Sequence, residues 1–493
     1  MKLAKLLERL EYEVIQGTKE IEIAKVVNDS KEASPNSLFV CITGMLLDGS
    51  DYIEDAVKRG AVAVIVEKEG EIPTRNITVI RVEDTRIALA KISAAFYGYP
   101  AEQLCLIGVT GTKGKTTTTW MIREILEQTG YKTGLIGTIE VRTGRRNIPA
   151  EHTSPESLFI QEYLREMVDA GCDIVVMEVS SQAMKLHRVE GLIFDIGVFT
   201  NIGTDHIGKY EHADFEEYKS CKAAFFQQCR LSILNRDDLY WQDMIKETKE
   251  KIETYGFHEK SDYRISEEEL RKGKSVLGTK YLLNGIKIQI SMPGRFNIYN
   301  SAAAFAVCRN LKIPVPKIKN TLSSVQVKGR VERIDLDISP KITVMIDYAH
   351  NAMSLQSVLE MIHSYNPSRI VTIFGCGGGR SKERRFEMGR VSGTFSDMTI
   401  ITSDNPRNES PFAIMKDIRT GIEKTAGKYI EICDRKEAVW YALEHAEEGD
   451  VLLLAGKGHE DYQEIKGNRY HMDDREILRR AAEELSYVRR HHH

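Results

Sequence analysis

Apolar positions in this chain fall into short solid runs and longer, helically spaced stretches, and the two alternate. In the first 100 residues the runs "NSLFVCITG" and "GAVAVIVEK" read as strands joined by a helical "YIEDAVKRG". That block ends at "FYGYP", where Pro100 marks a linker. Between residues 101 and 330 the strand-like runs are "LCLIGVTG", "CDIVVMEVS", "FDIGVFTNI" and "RLSILN". The intervening "SLFIQEYLREMVDAG" repeats Ile160, Tyr163, Leu164 and Met167 at helical spacing. The same alternation returns in "ITVMIDYAH", "RIVTIFGCGGG", "MTIITSDNP" and "DVLLLAGKGHE". Solid apolar runs alternating with amphipathic helices predict parallel sheets covered on both faces. The expectation is an α/β chain of three domains, at 1–100, 101–330 and 331–490. Each run of the later blocks ends in a polar or glycine-rich cluster, which a parallel sheet gathers at its carboxyl edge, where such folds bind ligands. A cleft between the second and third domains is expected.

Composition narrows the class. With 42% hydrophobic and 28% charged residues over 493 positions, the chain is a folded globular protein, not a disordered one. Its opening "MKLAKLLERLEYEVIQG" scatters charges through the stretch where a signal peptide needs an apolar core. No run approaches the roughly 18 apolar residues of a membrane span. Eight cysteines occur without a CxxC pair, which fits reduced cytosolic thiols. A net charge of −4 argues against a nucleic-acid partner, so an anionic ligand must be held by local basic groups. The final "HHH" reads as a tag remnant. A cytoplasmic monomer without membrane contact is expected.

"GVTGTKGKTT" carries the first chemistry. Gly111 and Gly114 allow backbone N–H groups to turn toward a phosphate, with Thr112 and Lys113 between them. Lys115 can reach the β- and γ-phosphates, Thr116 can ligate Mg²⁺, and Thr117 opens the helix behind. The usual motif needs a glycine at position 109, which is Val109 here. Strand, loop and helix still follow in the required order, so a nucleoside triphosphate, ATP, is the expected ligand.

Downstream, Glu178 ends one strand and His206 follows another, both placed to serve a metal near that loop. In "ADFEEYKSCKAAFFQQ", Phe215, Tyr218, Phe225 and Phe226 set an apolar stripe and Lys222 lies on it. Burial favours a neutral amine, which can take up CO₂ as a carbamate and become an anionic oxygen ligand. A lysine that snorkels to solvent is the other reading of that position.

Taken in order, "GTKGKTT", "MEVSSQA…HRV", "FTN…DH", "YKSCKAAFF", "GRFNIYNSAAA", "KGRVERI", "DYAHN", "FGCGGGR", "DNPRNE" and "GKGHEDYQ" resemble the Mur ligase family over nearly the whole chain. The resemblance implies a uridine-binding N-terminal α/β domain, a central P-loop ATPase-like α/β domain and a C-terminal Rossmann-like α/β domain. It implies ATP-dependent amide formation through an acyl phosphate, with Mg²⁺, on a UDP-muramoyl-dipeptide and an amino acid. By resemblance, Lys115, Glu178, His206 and Lys222 are catalytic. Thr116, Glu178, His206 and carbamylated Lys222 hold two Mg²⁺ ions. Asn297 meets adenine, Arg330 and Asp347 hold phosphate and ribose, and His350 lies in the same region. Ser30 contacts the uracil side, while Thr153, Ser154, Ser180 and Arg188 bind the muramoyl-peptide.

"SDNPRNE" addresses the amino acid. Diaminopimelate differs from lysine by a second carboxylate, which a planar guanidinium at Arg407 can clamp in two places. In the family, "DNPR" accompanies diaminopimelate-adding members. Asp404 and Asn405 share that loop, Arg380 is placed for the α-carboxylate, Glu460 for the distal ammonium, and Gly456 for close approach. An Arg407 left unpaired by lysine is expected to reject it. The sequence departs from the family pattern at Gly208, at Gly379 and Ser381, in "NAMSL", and at Leu186. Those departures keep a diverged ligase using lysine or another amino acid as the alternative. A folylpolyglutamate-type ligase and a non-catalytic P-loop ATP-binding protein rank below it, since neither needs the whole motif set.

Overall fold

Among the described residues, runs rich in Val and Ile build three large sheets covered by helices, and a two-stranded ribbon makes a fourth. The computed structural model describes residues 1–44, 48–67, 76–204, 207–208, 211–273 and 276–491. The chain packs into two units, Met1–Ile265 with Tyr299–Thr321, and Ser266–Ile298 with Leu322–His493.

The first unit begins with strands β1 (Glu13–Gln16), β2 (Lys25–Val27), β3 (Ser37–Val40), β4 (Ala61–Val66) and β5 (Thr78–Arg81). Their order is β1-β5-β4-β3-β2, parallel except for β1. Apolar clusters around Leu38, Ile65 and Ile92 on one face and Phe39, Val64 and Val79 on the other bury the sheet from both sides. This explains why β3 and β4 read as solid apolar runs and not as alternations.

The same unit continues with β6 (Cys105–Thr110), β7 (Thr133–Ile136), β8 (Glu140–Arg142), β9 (Asn147–Pro149), β10 (Ile174–Glu178), β11 (Ile196–Phe199), β12 (Leu231–Asn235) and β13 (Lys251–Gly256). Their order is β13-β12-β11-β6-β10-β7-β8-β9. The strands from β13 to β7 run parallel and the β7-β8-β9 edge is antiparallel. β6 and β10 lie side by side in register, Val109 opposite Glu178. The loops after them therefore leave the sheet at the same edge.

In β14 (Tyr263–Gly273) the chain passes from the first unit to the second, which continues with the antiparallel hairpin β15 (Val276–Leu283) and β16 (Ile286–Ile290). The main sheet of the second unit comprises β17 (Glu332–Ile334), β18 (Thr343–Asp347), β19 (Arg369–Phe374), β20 (Met398–Ile401), β21 (Tyr429–Glu431) and β22 (Asp450–Ala455), in the order β17-β18-β22-β19-β20-β21. All but β17 are parallel. Two apolar clusters, one around Leu359 and Phe374 and one around Ile373 and Leu454, cover its faces. A small antiparallel ribbon, β23 (Tyr462–Ile465) and β24 (Asn468–His471), follows β22. No helix among the described residues is long and apolar enough to cross a membrane.

The α/β class and the named strand runs stand as expected. The hairpin β15–β16 was not anticipated by the reading of blocks. It packs within the second unit, where the Tyr365 hydroxyl donates to the Gly278 carbonyl at 2.8 Å and Ser291 Oγ to Val325 O at 2.6 Å.

Candidate active site

In the first unit, β6 runs into a turn that only glycine fits. Gly111 and Gly114 take φ of +149° and +86°. A Cβ would lie 1.9 Å from Thr200 Oγ1 at the first and 2.4 Å from Asn300 Oδ1 at the second. The helix Lys115–Gln128 starts immediately behind, with Gly114 as its N-cap. Its first-turn N–H groups and the positive end of its dipole make an anion site. The loop is tied down from β11: Thr112 N donates to Asn201 O at 2.8 Å and Lys113 N to Asn201 Oδ1 at 3.0 Å. Lys115 Nζ donates to the carbonyls of Gly111, at 2.8 Å, and Thr112, at 3.2 Å.

Glu178, at the end of β10 and 1% exposed, meets the loop directly. Thr116 Oγ1 donates to its Oε2 at 3.0 Å. Thr138, just past β7, donates to the same carboxylate from its N–H at 2.8 Å and its hydroxyl at 2.9 Å. The Thr138 hydroxyl also lies 3.0 Å from Thr153 Oγ1. One line of hydrogen bonds thus runs from the phosphate loop to the "EHTSPES" stretch. Ser154 Oγ donates to the Glu178 carbonyl at 2.8 Å and accepts from Ser180 N at 3.1 Å. Ser180 caps the helix Ser181–Lys185, accepting from Ala183 N. Arg188 reaches back to Ser154 O at 2.9 Å and pairs with Glu156 at 2.6 Å, while its buried Nε has no acceptor among the described residues.

Lys222 is 1% exposed on the helix Phe215–Phe225, beside buried Tyr218 and Phe225. It is a buried lysine and not a snorkelling one. Its Nζ donates to the Gly111 carbonyl at 3.0 Å and sits 4.8 Å from the Tyr218 ring. The Tyr218 hydroxyl lies 2.8 Å from Thr112 Oγ1, and His212 Nε2 lies 2.9 Å from Ser181 Oγ. His206 lies outside the described residues.

Gly111–Thr117, Glu178, Thr153, Ser154, Ser180, Arg188 and Lys222 therefore form one connected neighbourhood. Ser30 opens a short 3-10 turn after β2, where its hydroxyl donates to Asp55 at 2.8 Å. Thr138, Tyr218, Asn201 and Asn300 were missed from the sequence. Tyr218 alone carried a signal, one helical turn before Lys222.

In the second unit the expected residues cluster at the carboxyl ends of β18, β19, β20 and β22. Asp347 ends β18 and accepts from Val331 N at 2.7 Å, and the Arg330 guanidinium lies 4.9 Å from the Tyr348 ring. The His350 and His459 rings flank Tyr348 at 4.7 and 4.9 Å. Asn297, 1% exposed, donates to Pro293 O at 2.7 Å. Burial and the cations Arg330, Lys328, Arg475 and Lys457 push the His459 imidazole down to about 3, so it is neutral.

The glycine loop after β19 lies flat on the "SDNPR" loop after β20. A Cβ on Gly378 would lie 2.0 Å from Pro406 O, and Gly378 N donates to Asn405 O at 2.9 Å. A Cβ on Gly377 would face Arg407 Nη1 at 3.9 Å and Arg380 Cγ at 4.0 Å, so both arginines border one spot. Asn405 Nδ2 donates to Glu460 at 2.8 Å, and a Cβ on Gly456 would lie 2.8 Å from Asp404 Oδ2. Lys457, fully buried and missed from the sequence, donates to Asn405 Oδ1 and Glu460 Oε2, each at 3.3 Å, with Asp404 at 3.8 Å. Burial and the neighbouring Asp404 charge raise the Glu460 carboxyl above its ordinary range, and Lys457 opposes them. Arg407, expected to clamp a distal carboxylate, has partners within the protein as well. Its Nε lies 3.2 Å from Glu464 Oε2 and its Nη1 donates to Gly378 O at 2.8 Å.

The departures from the family pattern are conservative in backbone terms. Gly379 has φ of +68°, a region open to Asp but easier for Gly. Ser381 caps the helix Lys382–Phe395, and Asn351 caps Ala352–His363, roles that Asp, Ser, Thr and Asn share. A Cβ at Gly208 would meet no described residue within 4 Å.

Comparison with known proteins agrees with this geometry. Residues 22–97 match the Mur ligase family catalytic domain, 109–308 the Mur ligase middle domain and 329–458 the Mur ligase glutamate ligase domain. The chain belongs to the Mur ligase family, whose members are ATP-dependent ligases. It is 42% identical to the UDP-N-acetylmuramoyl-L-alanyl-D-glutamate–2,6-diaminopimelate ligase of Caldanaerobacter subterraneus, over 98% of this chain and 99% of that protein. It is 40% identical to the protein of the same name from Clostridium perfringens, over 97% and 99%. A solved structure of a ligase of that name superposes with a TM-score of 0.68 at 26% identity, covering 99% of each chain. The MurF ligase of Thermotoga maritima in complex with ADP, at 19% identity and a TM-score of 0.58, shares the fold.

Proposed function

We propose that this chain is the ATP-dependent ligase that joins meso-diaminopimelate to the D-glutamate of UDP-N-acetylmuramoyl-L-alanyl-D-glutamate, a step of peptidoglycan assembly. The observation that carries the reading is the line Thr116–Glu178–Thr138–Thr153, which ties a phosphate loop to the stretch matched to the muramoyl-peptide. A triphosphate and a carboxylate substrate held by neighbouring segments suit phosphoryl transfer to the carboxylate. The D-glutamate carboxylate oxygen attacks the γ-phosphorus and ADP leaves. The amino acid's amine then attacks the acyl carbon, loses a proton, and releases phosphate as the amide forms.

On this reading Lys115 and the N–H groups of 111–117 hold the β- and γ-phosphates, and Asn297, Arg330 and Asp347 hold adenine, phosphate and ribose. Ser30, Thr153, Ser154, Ser180 and Arg188 hold the muramoyl-peptide. Arg380, Asp404, Asn405, Arg407, Gly456 and Glu460 hold the amino acid. The domains on this reading are 1–100, 101–330 and 331–490 along the sequence, with residues 266–298 and 322–330 packing in the unit of the last. Among the described residues, no group of three or more His, Cys, Asp or Glu side chains is placed to hold a metal ion by itself. The Thr116 hydroxyl and Glu178 carboxylate are nevertheless the hard oxygen donors that Mg²⁺ takes alongside phosphate and water. Lys222, carbamylated, and His206 complete the proposed set. Bound Mg²⁺ supplies charge neutralisation at the transferring phosphoryl group.

The test is phosphate release with ATP, Mg²⁺ and the UDP-muramoyl-dipeptide, with meso-diaminopimelate or L-lysine in parallel. Release with diaminopimelate alone is expected. Release with lysine alone defeats the acceptor assignment, and release with neither defeats the ligase reading.

A further inference from the structure

The Arg407 guanidinium is held at two of its three nitrogens by its own chain. Glu464 Oε2 lies 3.2 Å from Nε, and the Gly378 carbonyl accepts from Nη1 at 2.8 Å, while Nη2 has no hydrogen-bond partner among the described residues. The backbone is fixed as well. Arg407 sits at φ +52°, a costly region for a side chain of that size, and is locked there by Arg407 N to Glu464 O and Lys466 N to Arg407 O, both 2.9 Å. Asn405 Oδ1, in turn, accepts from Glu464 N at 3.0 Å. Glu464 is thus built into the loop that presents Arg407.

We infer that Glu464 is a specificity-determining residue that sets how strongly Arg407 demands a distal carboxylate on the acceptor. This rests on the acceptor site proposed above. By occupying Nε, Glu464 bars a side-on bidentate carboxylate and leaves the Nη1–Nη2 end of the guanidinium to meet the ligand, with Nη1 facing the spot that Arg380 also borders. Its charge does two further things. It repels an incoming carboxylate, and it keeps the guanidinium paired when the acceptor has none. With the Glu464 charge removed but its oxygen kept on Nε, Arg407 would bind diaminopimelate more tightly and tolerate lysine less. With the oxygen gone as well, the guanidinium loses its orientation and binds diaminopimelate less well.

The two roles, orientation and charge, separate by substitution. Glu464→Gln keeps an oxygen for Nε and removes the charge, whereas Glu464→Ala removes both. The main-chain bonds to Arg407 survive in each. The experiment is the KM for meso-diaminopimelate at saturating ATP and UDP-muramoyl-dipeptide, in wild type and both variants, with the melting temperature of each. The expected order is Gln below wild type by about three- to fivefold, the scale of a partly exposed charge pair, and Ala above wild type. A salt bridge of purely structural meaning moves both variants the same way or neither. Any order other than Gln, wild type, Ala therefore overturns the inference. Wild type that turns over no diaminopimelate but does turn over another acceptor overturns the acceptor assignment instead, and this inference with it.

Discussion

Lys115 donates to the carbonyls of Gly111 and Thr112, and Lys222 shares the first of them, so two lysines converge on one turn of backbone. Replacing Lys115 with Ala removes the group that would meet charge developing on the γ-phosphate. A fall in kcat of about 10²–10³-fold is expected, the usual effect of losing one such donor, with the melting temperature little changed. Steady-state phosphate release checks it. His459 makes a prediction of a different kind. Its folded value of about 3 lies below the ordinary 6.5, so between them the unfolded chain binds the extra proton. Its contribution is whole above pH 6.5 and declines as pH falls toward 3. His459→Gln is expected to flatten the melting temperature against pH by about one proton's worth across pH 4–6, read by scanning calorimetry. At this scale the sequence disclosed most charged chemistry, because "GTKGKTT", "DNPR" and "GKGHE" are contiguous. Thr138 and Glu464 stayed hidden, since each acts on a residue brought near only by the sheet.

Among the elements, the terminal helix Asp474–His491 shows how a charge can anchor a whole segment. Asp474 and Arg435 pair at 2.7 Å with side chains 1% and 0% exposed, at the starts of two helices. Burial disfavours both charges, and the pairing keeps Arg435 cationic and the Asp474 carboxyl below its ordinary range. Asp474→Ala leaves a buried guanidinium unpaired and is expected to cost about 3–5 kcal/mol of stability, measured by urea unfolding of the full chain. The strands were the most legible elements, because a sheet covered on both faces demands unbroken apolar runs such as "AVAVIV" and "IVVME". The place of the ribbon β15–β16 was not. Its local signal is present, since Asn284-Gly285 is a hairpin turn and Ile286, Ile288 and Ile290 alternate with Lys287 and Gln289. The unit it joins was not legible, because its packing partners come from residues far along the chain.

At the scale of the molecule, the chain passes between its two units three times, after residues 265, 298 and 321. The sequence suggested a single passage at 330, since composition and periodicity report local structure and not which core a segment joins. Residues 266–298 therefore belong with 322–493, and a fragment ending at residue 330 would strand them. Such a fragment is expected to aggregate or bind a hydrophobic dye where the full chain does not, which light scattering at matched concentration would show. The same interleaving has a consequence for the order of synthesis. The ribbon β15–β16 leaves the ribosome before the segment it packs against. At ~5–20 residues per second it waits about 4–15 s for Tyr365, whose hydroxyl bonds the Gly278 carbonyl. The nascent chain carries an unfinished apolar surface for that interval, which makes the second half of translation the period in which this protein most needs a chaperone.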